Sequence, residues 1–146
     1  MTKNNRITGL GKRIASVAGA TALLLGGGIA TAGPAAAGAY CPSGYHCVFQ
    51  GSLGSTGYKS FFNSDADFTN DYFQDTGTPV NDQVMAASNS SNGGYESHYY
   101  KDINYGGGLI FCVNPGSQVN WDQLDWSQRN QASSLRLRPT TTIPCF

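Results

Sequence analysis

Charged residues are scarce in this sequence. Lys, Arg, Asp and Glu together make up 12% of its 146 residues, and nine basic side chains balance nine acidic ones. A formal net charge of zero excludes the class of strongly basic nucleic-acid-binding proteins, which neutralise phosphates with Lys and Arg. Aromatic residues, in contrast, reach 12%, and so many of them beside so few charges exclude a disordered chain.

Common enzyme motifs are also missing. The chain contains no G-x-S-x-G nucleophile elbow, no H-E-x-x-H metalloprotease helix and no phosphate-binding P-loop. No window shows helical periodicity over a useful length, which argues against a helical domain. The sequence therefore predicts a protein that is neither an enzyme nor a helical bundle.

The first 39 residues differ from the rest. They carry four basic side chains and no acidic, aromatic or cysteine residue. A basic start, a run of apolar and small residues over 14–32 and an alanine-rich end are typical of a secretory signal peptide. We predict cleavage after Ala37 or Ala39 and a secreted, extracellular product. The alternative is a membrane anchor, but Pro34 and several glycines weaken a spanning helix.

The predicted product, 40–146, differs in composition from the whole chain. All nine acidic residues, all four cysteines and all 17 aromatic residues lie in it, beside five basic residues. Its net charge is therefore −4. We expect a small, acidic, aromatic-rich domain that is a monomer and holds no membrane segment.

Export permits disulfides, which help a domain of about 100 residues because its core is small. The four cysteines, Cys41, Cys47, Cys112 and Cys145, allow three pairings, and the sequence does not decide between them. The stretch between Cys41 and Cys47 is rich in turn-forming residues and suits a small ring, which favours Cys41–Cys47 with Cys112–Cys145. A zinc site built from these cysteines and the two histidines matches no known ligand spacing, so we predict no metal there.

Short apolar or aromatic runs alternate with clusters of Gly, Asn, Asp and Ser throughout 40–146. This pattern predicts an all-β fold, a sandwich of Greek-key motifs. The predicted strands are 47–50, 58–62, 84–89, 95–100, 109–113 and 133–138, with 67–73 and 118–121 as further candidates and a short helical turn over 121–126.

An internal repeat divides this region into two halves. Residues 81–86 align with 129–134 at an offset of 48 positions, and a stretch from Phe49 to Gly57 aligns with 100–107. Two units of about 50 residues are too few for a solenoid. They predict two similar four-stranded units packed as one sandwich.

The second half contains the motif Tyr100-x4-Tyr105-x-Gly107, which resembles the corner of the βγ-crystallin Greek key. The glycine permits a backbone fold-over that a Cβ would obstruct, and the two rings pack across the folded hairpin. A later serine, Ser134, is expected to hydrogen-bond this hairpin. With the leader and the run Tyr-Cys-Pro-Ser-Gly-Tyr-His-Cys over 40–47, the chain resembles a family of secreted bacterial peptidase inhibitors. The type of that family inhibits metalloproteinases and has a βγ-crystallin-like fold.

This resemblance implies an inhibitor that binds an extracellular protease through a rigid, substrate-like loop. The family type presents a bond between a disulfide-bonded cysteine and a following valine, and Cys112-Val113 matches those two residues. The sequence departs from the type because no second cysteine follows within a few residues. The alternative interpretation is that 111–113 simply ends a strand before a Pro115-Gly116 turn.

Microbial βγ-crystallin-like domains also bind calcium through oxygen-rich loops. The repeated segment holds a degenerate form of that motif, because apolar residues replace hydroxyls in its first copy and an arginine begins its second. We expect weak calcium binding or none, and no other cofactor. The residues concerned are Asn81, Asp82, Asn130, Ser133 and Ser134.

An alternative function is that of a non-inhibitory secreted module that binds carbohydrate or the cell envelope. Exposed aromatic rings would then stack on sugars, although most aromatic residues of so small a domain belong to its core. The candidates are Trp121, Trp126, Tyr99 and Tyr105.

An enzymatic alternative rests on Glu96, His98 and Tyr100, which strand alternation places on one face. Those side chains could form an acid–base cluster. We interpret them instead as a polar, solvent-exposed face.

Overall fold

The computed structural model describes residues 38–146. The predicted signal peptide lies outside the described residues except for Gly38 and Ala39. Those two residues contact the domain, because Ser90 Oγ donates to the Gly38 carbonyl at 2.8 Å and the Ala39 N–H donates to Gln118 Oε1 at 2.7 Å. A cut after residue 37 would keep both contacts, and a cut after residue 39 would remove them.

The described residues form seven strands. They are β1 His46–Phe49, β2 Tyr58–Phe61, β3 Ala86–Asn89, β4 Tyr95–Tyr100, β5 Leu109–Val113, β6 Gln118–Val119 and β7 Ser134–Pro139. One sheet has the order β2-β1-β3-β6, and the other has the order β5-β4-β7. All the strand pairs are antiparallel, which confirms the predicted all-β class. Between residues 38 and 146, no helix is long and apolar enough to cross a membrane.

The predicted strands appear with small shifts at their ends, and 118–121 shortens to β6. The strand predicted over 67–73 is wrong, since this stretch contains a 3₁₀ turn at Phe68–Asn70. Asp67 caps that turn by accepting the Thr69 N–H at 3.0 Å, a local bond that competes with strand pairing. Over 121–126 the chain forms hydrogen-bonded turns, in one of which the Gln123 N–H donates to the Asn120 carbonyl at 3.0 Å.

The hydrophobic core receives side chains from both sheets. Tyr99 of β4 stacks on Phe111 of β5 with ring centroids 4.6 Å apart, and both rings are buried. Leu135 of β7 is buried beside the exposed Arg136. Such buried aromatic pairs contribute about 0.5–1.5 kcal/mol beyond the area they bury.

The internal repeat is visible as a two-fold relationship in the backbone. Asp82 and Asn130, 48 positions apart, both have a left-handed conformation, with φ of 55° and 54°. The Asp82 N–H donates to the Ala132 carbonyl at 3.0 Å, and the Asn130 N–H donates to the Val84 carbonyl at 2.8 Å. Asp82 corresponds to Asn130 in the repeat, and Val84 corresponds to Ala132. Each unit therefore donates one equivalent hydrogen bond to the other, and the two bonds form a reciprocal clasp.

The corner motif also folds as its spacing predicts. Tyr100 and Tyr105 pack edge to face with ring centroids 6.1 Å apart. Gly107 has φ of 68°, a conformation that favours glycine, and a Cβ there would lie 2.6 Å from the Asp102 carboxyl group. Ser134 Oγ donates to the Asp102 carbonyl at 2.8 Å and accepts the Tyr105 N–H at 3.2 Å, which confirms the expected bond.

Candidate functional site

Both favoured disulfides are present. Cys41 bonds to Cys47 and Cys112 bonds to Cys145, with Cα atoms 5.7 and 4.8 Å apart. The first closes a small ring before β1, and the second ties the segment 140–146 to β5. No cysteine of the described residues is free.

The predicted reactive bond, Cys112–Val113, lies at the end of β5. The exposed fraction is 2% for Cys112 and 0% for Val113, so both side chains are buried. β5 is an edge strand, because it pairs only with β4 in its sheet. An edge strand turns backbone N–H and C=O groups outward, and extended polypeptides are recognised through such groups.

The backbone of Phe146 and the side chain of Gln128 cover that outward edge. The Phe146 N–H donates to the Cys112 carbonyl oxygen at 3.0 Å, and the Asn114 N–H donates to the Phe146 carbonyl at 2.8 Å. Further along the strand, Gln128 Nε2 donates to the Ile110 carbonyl at 3.0 Å. The carbonyl of the predicted reactive bond is therefore hydrogen-bonded within the protein.

The chain leaves β5 through a half-exposed turn over 114–117. The Ser117 N–H donates to the Asn114 carbonyl at 3.0 Å, and Gly116 takes a positive φ of 74°. Asn114 Nδ2 donates to the Cys145 carbonyl at 3.1 Å. This turn is joined to the second disulfide by main chain and by side chain.

Asn89, which the sequence analysis did not single out, holds the same turn from the other side. Its buried Nδ2 donates to the Val113 carbonyl at 3.0 Å and to the Tyr95 carbonyl at 2.8 Å. Its backbone accepts the Gly116 N–H at 2.8 Å and donates to the Ser117 carbonyl at 2.9 Å. The signal in the sequence was an amide at the end of a predicted strand that begins with apolar residues, where a buried polar group needs partners.

Glu96 and His98 are 1% and 0% exposed, so the predicted solvent-exposed face is wrong. The segment 140–146 covers it, because the Thr141 N–H and Oγ1 donate to the two carboxylate oxygens of Glu96 at 2.9 and 2.8 Å. His98 Nε2 lies 2.7 Å from Glu96 Oε2. Burial pushes the pKa of Glu96 upward, but hydrogen bonds from His98 and Thr141 outweigh burial and lower that pKa overall.

His98 also lies against the second disulfide. A ring nitrogen of His98 and the sulfur atoms of Cys112 and Cys145 all lie within 4.8 Å of one another. In the part of the chain that the structure describes, no other group of three His, Cys, Asp or Glu side chains is close enough to hold a metal ion. The two sulfur atoms are bonded to each other, so they do not offer the thiolates that a metal would need.

The five residues of the degenerate calcium motif have structural partners. Asn81 Nδ2 donates to Asp82 Oδ2 at 2.9 Å, and Ser133 Oγ donates to Asp82 Oδ1 at 3.3 Å. Ser134 Oγ belongs to the corner described above, and Asn130 belongs to the reciprocal clasp. These contacts explain the repeated pattern as fold architecture, and the expectation of weak calcium binding or none stays a prediction.

The four aromatic candidates for sugar stacking separate into two kinds. Tyr99 is buried and Tyr105 is half-buried in the corner, so neither offers a free ring face. Trp121 and Trp126 are 41% and 85% exposed. The guanidinium of Arg129 lies 5.1 and 4.8 Å from their ring centroids, a double cation–π contact that covers one face of each ring.

The fold and the comparisons with known proteins agree on the class. A solved structure titled "Evolution of the eye lens beta-gamma-crystallin domain fold" is similar with a TM-score of 0.53 and 16% sequence identity, covering 69% of this chain and 92% of that chain. This similarity establishes a βγ-crystallin fold.

Residues 34–113 match the model described as Peptidase inhibitor family I36, and the chain belongs to that family. A comparison with curated proteins found no match. Family membership supports a role as a protease inhibitor with a protease as its partner.

Proposed function

We propose that this protein inhibits extracellular metalloproteinases and that it meets them with the segment 112–117. The observation that carries this proposal is the bracing of that segment from both sides. The disulfide and the Asn114 bonds hold it to 145–146, and Asn89 holds it to β3 and β4. A segment held in one conformation loses little entropy when a protease binds it, which strengthens binding.

The exposed part of this segment defines the first contact. The turn 114–117 is half-exposed, whereas Cys112 and Val113 are buried and the Cys112 carbonyl is occupied by Phe146. In the described conformation a protease reaches the turn before it reaches the bond. Engagement of the Cys112–Val113 bond requires that Phe146 leave the edge of β5 and that the buried Val113 side chain leave the hydrophobic core.

The choice of metalloproteinases rests on the family resemblance and on Val113. A hydrophobic residue on the leaving-group side of the bond suits the pocket of a thermolysin-like zinc protease. A subtilisin-like serine protease reads mainly the other side of the bond. The two enzyme classes therefore separate the general inhibitor role from the proposed specificity.

The test is a titration of the purified protein against thermolysin and against subtilisin. We expect thermolysin to be slowed at micromolar concentration or below and subtilisin to be affected less. Asn89→Ala, which releases the turn, is expected to weaken inhibition by at least about tenfold, equivalent to about 1.4 kcal/mol. Asn70→Ala, at an exposed amide in the 3₁₀ turn, is the matched control and should inhibit like the wild type.

Two results would contradict the proposal in different ways. If neither protease is slowed at micromolar concentration, the inhibitor role through these enzyme classes is wrong. If thermolysin is slowed equally by the wild type and by a folded Asn89→Ala variant, the braced turn is not the contact surface.

A further inference from the structure

A cleft lies where strand ends of both sheets meet. This cleft has a volume of about 540 Å³ and is lined by the first residues of β1 and β4, the residues after β2 and Leu137 of β7. Small-molecule sites in proteins have volumes of about 300–1,000 Å³. None of the residues 112–117 lines the cleft, so it is separate from the proposed inhibitory segment.

Two aromatic rings flank this cleft with open faces. Phe62 is 63% exposed and Tyr95 is 44% exposed, although rings of this kind are usually buried. Tyr45 packs edge to face on Phe62 with ring centroids 5.5 Å apart. A Cβ on Gly93 would lie 3.2 Å from the Tyr95 ring, so glycine there lets the ring lie close to the backbone.

His46 supplies a polar group inside the cleft. It is 2% exposed, and its Nδ1 lies 2.6 Å from Ser97 Oγ. Its other nitrogen, Nε2, has no hydrogen-bond partner among residues 38–146, and the residue lines the cleft. Burial lowers the pKa of His46 to about 4, so the ring is neutral at physiological pH.

The charge and polarity of the lining restrict the ligand. Among residues 38–146, no Asp, Glu, Lys or Arg lines the cleft, so a charged ligand would lose its hydration without gaining a counter-charge there. A wholly apolar ligand would leave His46 Nε2 dry and unpaired, which costs about 1–3 kcal/mol. The amides of Asn63 and Asn92 add hydrogen-bonding groups at the exposed rim. The lining therefore suits a neutral ligand that has an apolar face and several hydroxyl groups.

We propose that this cleft binds a neutral saccharide, with a pyranose ring packed on Phe62 and Tyr95 and a hydroxyl group bonded to His46 Nε2. The C–H face of a pyranose meets the aromatic rings, and its hydroxyl groups meet the imidazole and the amides. The cleft differs from the Trp121–Trp126 pair in one respect, since no Lys or Arg side chain among residues 38–146 stacks on its two rings. The tryptophan pair is occupied by Arg129.

The experiment is a titration of the ¹⁵N-labelled protein with cellobiose, maltose and N,N′-diacetylchitobiose, followed by amide chemical shifts. We expect at least one of these neutral saccharides to shift the amides of 44–46, 62–64 and 91–95 in a saturable manner. Tyr95→Ala and Phe62→Ala should each weaken that binding by at least about tenfold. Trp126→Ala removes a ring that is even more exposed but lies outside the cleft, and it should leave the binding unchanged.

Three outcomes would overturn this inference. One is the absence of saturable shifts with all three saccharides. Another is a set of shifts around 121–129 that disappears in Trp126→Ala, which would return sugar binding to the tryptophans. The third is that N-acetyltyrosinamide saturates the same amides while the saccharides do not, which would make the cleft a pocket for a peptide side chain. Near-ultraviolet circular dichroism of each variant shows whether its fold is intact.

Discussion

The backbone N–H of Phe146 donates to the carbonyl oxygen of Cys112 at 3.0 Å. This bond places residue 146 on the outward edge of β5, at the carbonyl of the bond that the family resemblance singles out. The Cys112–Cys145 disulfide thus joins the proposed inhibitory segment, 112–117, to the residues that cover its first peptide bond. Access of a protease to the Cys112–Val113 bond therefore depends on how stably Phe146 is bonded to β5.

Phe146→Pro removes the donor of this bond, because proline has no N–H. We expect thermolysin to cleave the variant between Cys112 and Val113 about fivefold faster than the wild type, since loss of one hydrogen bond weakens the cover by about 1 kcal/mol. Mass spectrometry of the reduced protein would identify the two new ends. Phe146→Ala keeps the N–H and is the control. Equal cleavage rates for the two variants would show that this bond does not control access.

The two disulfides should contribute unequally to stability. Their cysteines are 33 and 6 positions apart. In the chain-entropy model, the longer loop stabilises the fold by about 3.8 kcal/mol and the shorter one by about 2.3 kcal/mol. Urea unfolding of the variants Cys112→Ala/Cys145→Ala and Cys41→Ala/Cys47→Ala would measure both. A larger loss from the small ring would mean that local strain and packing outweigh loop entropy.

The Ser134 hydroxyl should contribute more to the stability of the fold than the hydroxyl of its neighbour Ser133. Ser134→Ala leaves the Asp102 carbonyl and the Tyr105 N–H without their buried partner, which costs about 1–3 kcal/mol. Ser133→Ala removes a longer contact, 3.3 Å, to an exposed carboxylate and should cost less than about 1 kcal/mol. The free energy of unfolding in urea distinguishes the two. Equal losses would contradict the role of Ser134 as the fastener of the corner.

The folded hairpin of the corner could be predicted from the sequence because its requirements are local, whereas the distant Ser134 was expected from the family resemblance. Position 107 favours glycine because its φ is positive and a Cβ there would lie close to the Asp102 carboxyl group. The spacing of Tyr100 and Tyr105 lets their rings pack across the hairpin. Strand positions followed from the alternation of side chains and from turn residues. These features depend on neighbours within a few positions along the chain, and they were found.

The contacts that shape the candidate site join residues that lie far apart in the sequence. Glu96 is bonded by Thr141, 45 positions away, and Cys112 is covered by Phe146, which lies beyond the last strand. Strand alternation shows that Glu96 and His98 share a face, but it does not show what covers that face. For the same reason the cleft between His46, Phe62 and Tyr95 is invisible in sequence, since it joins the ends of three separate strands.

His46 should make the fold sensitive to acid in a defined range. Its pKa is lowered from 6.5 to about 4 by burial, so between these values the unfolded chain binds a proton that the folded protein does not. Stability then rises with pH across this window and is lost as the pH falls from about 6.5 to about 4, by at most about 3 kcal/mol. His46→Gln removes the titrating group and can keep a bond to Ser97, so its stability should change less over that range. Thermal unfolding of both proteins at half-unit pH steps measures the difference, and parallel curves between pH 4 and 6.5 would show that His46 is protonated in the folded state.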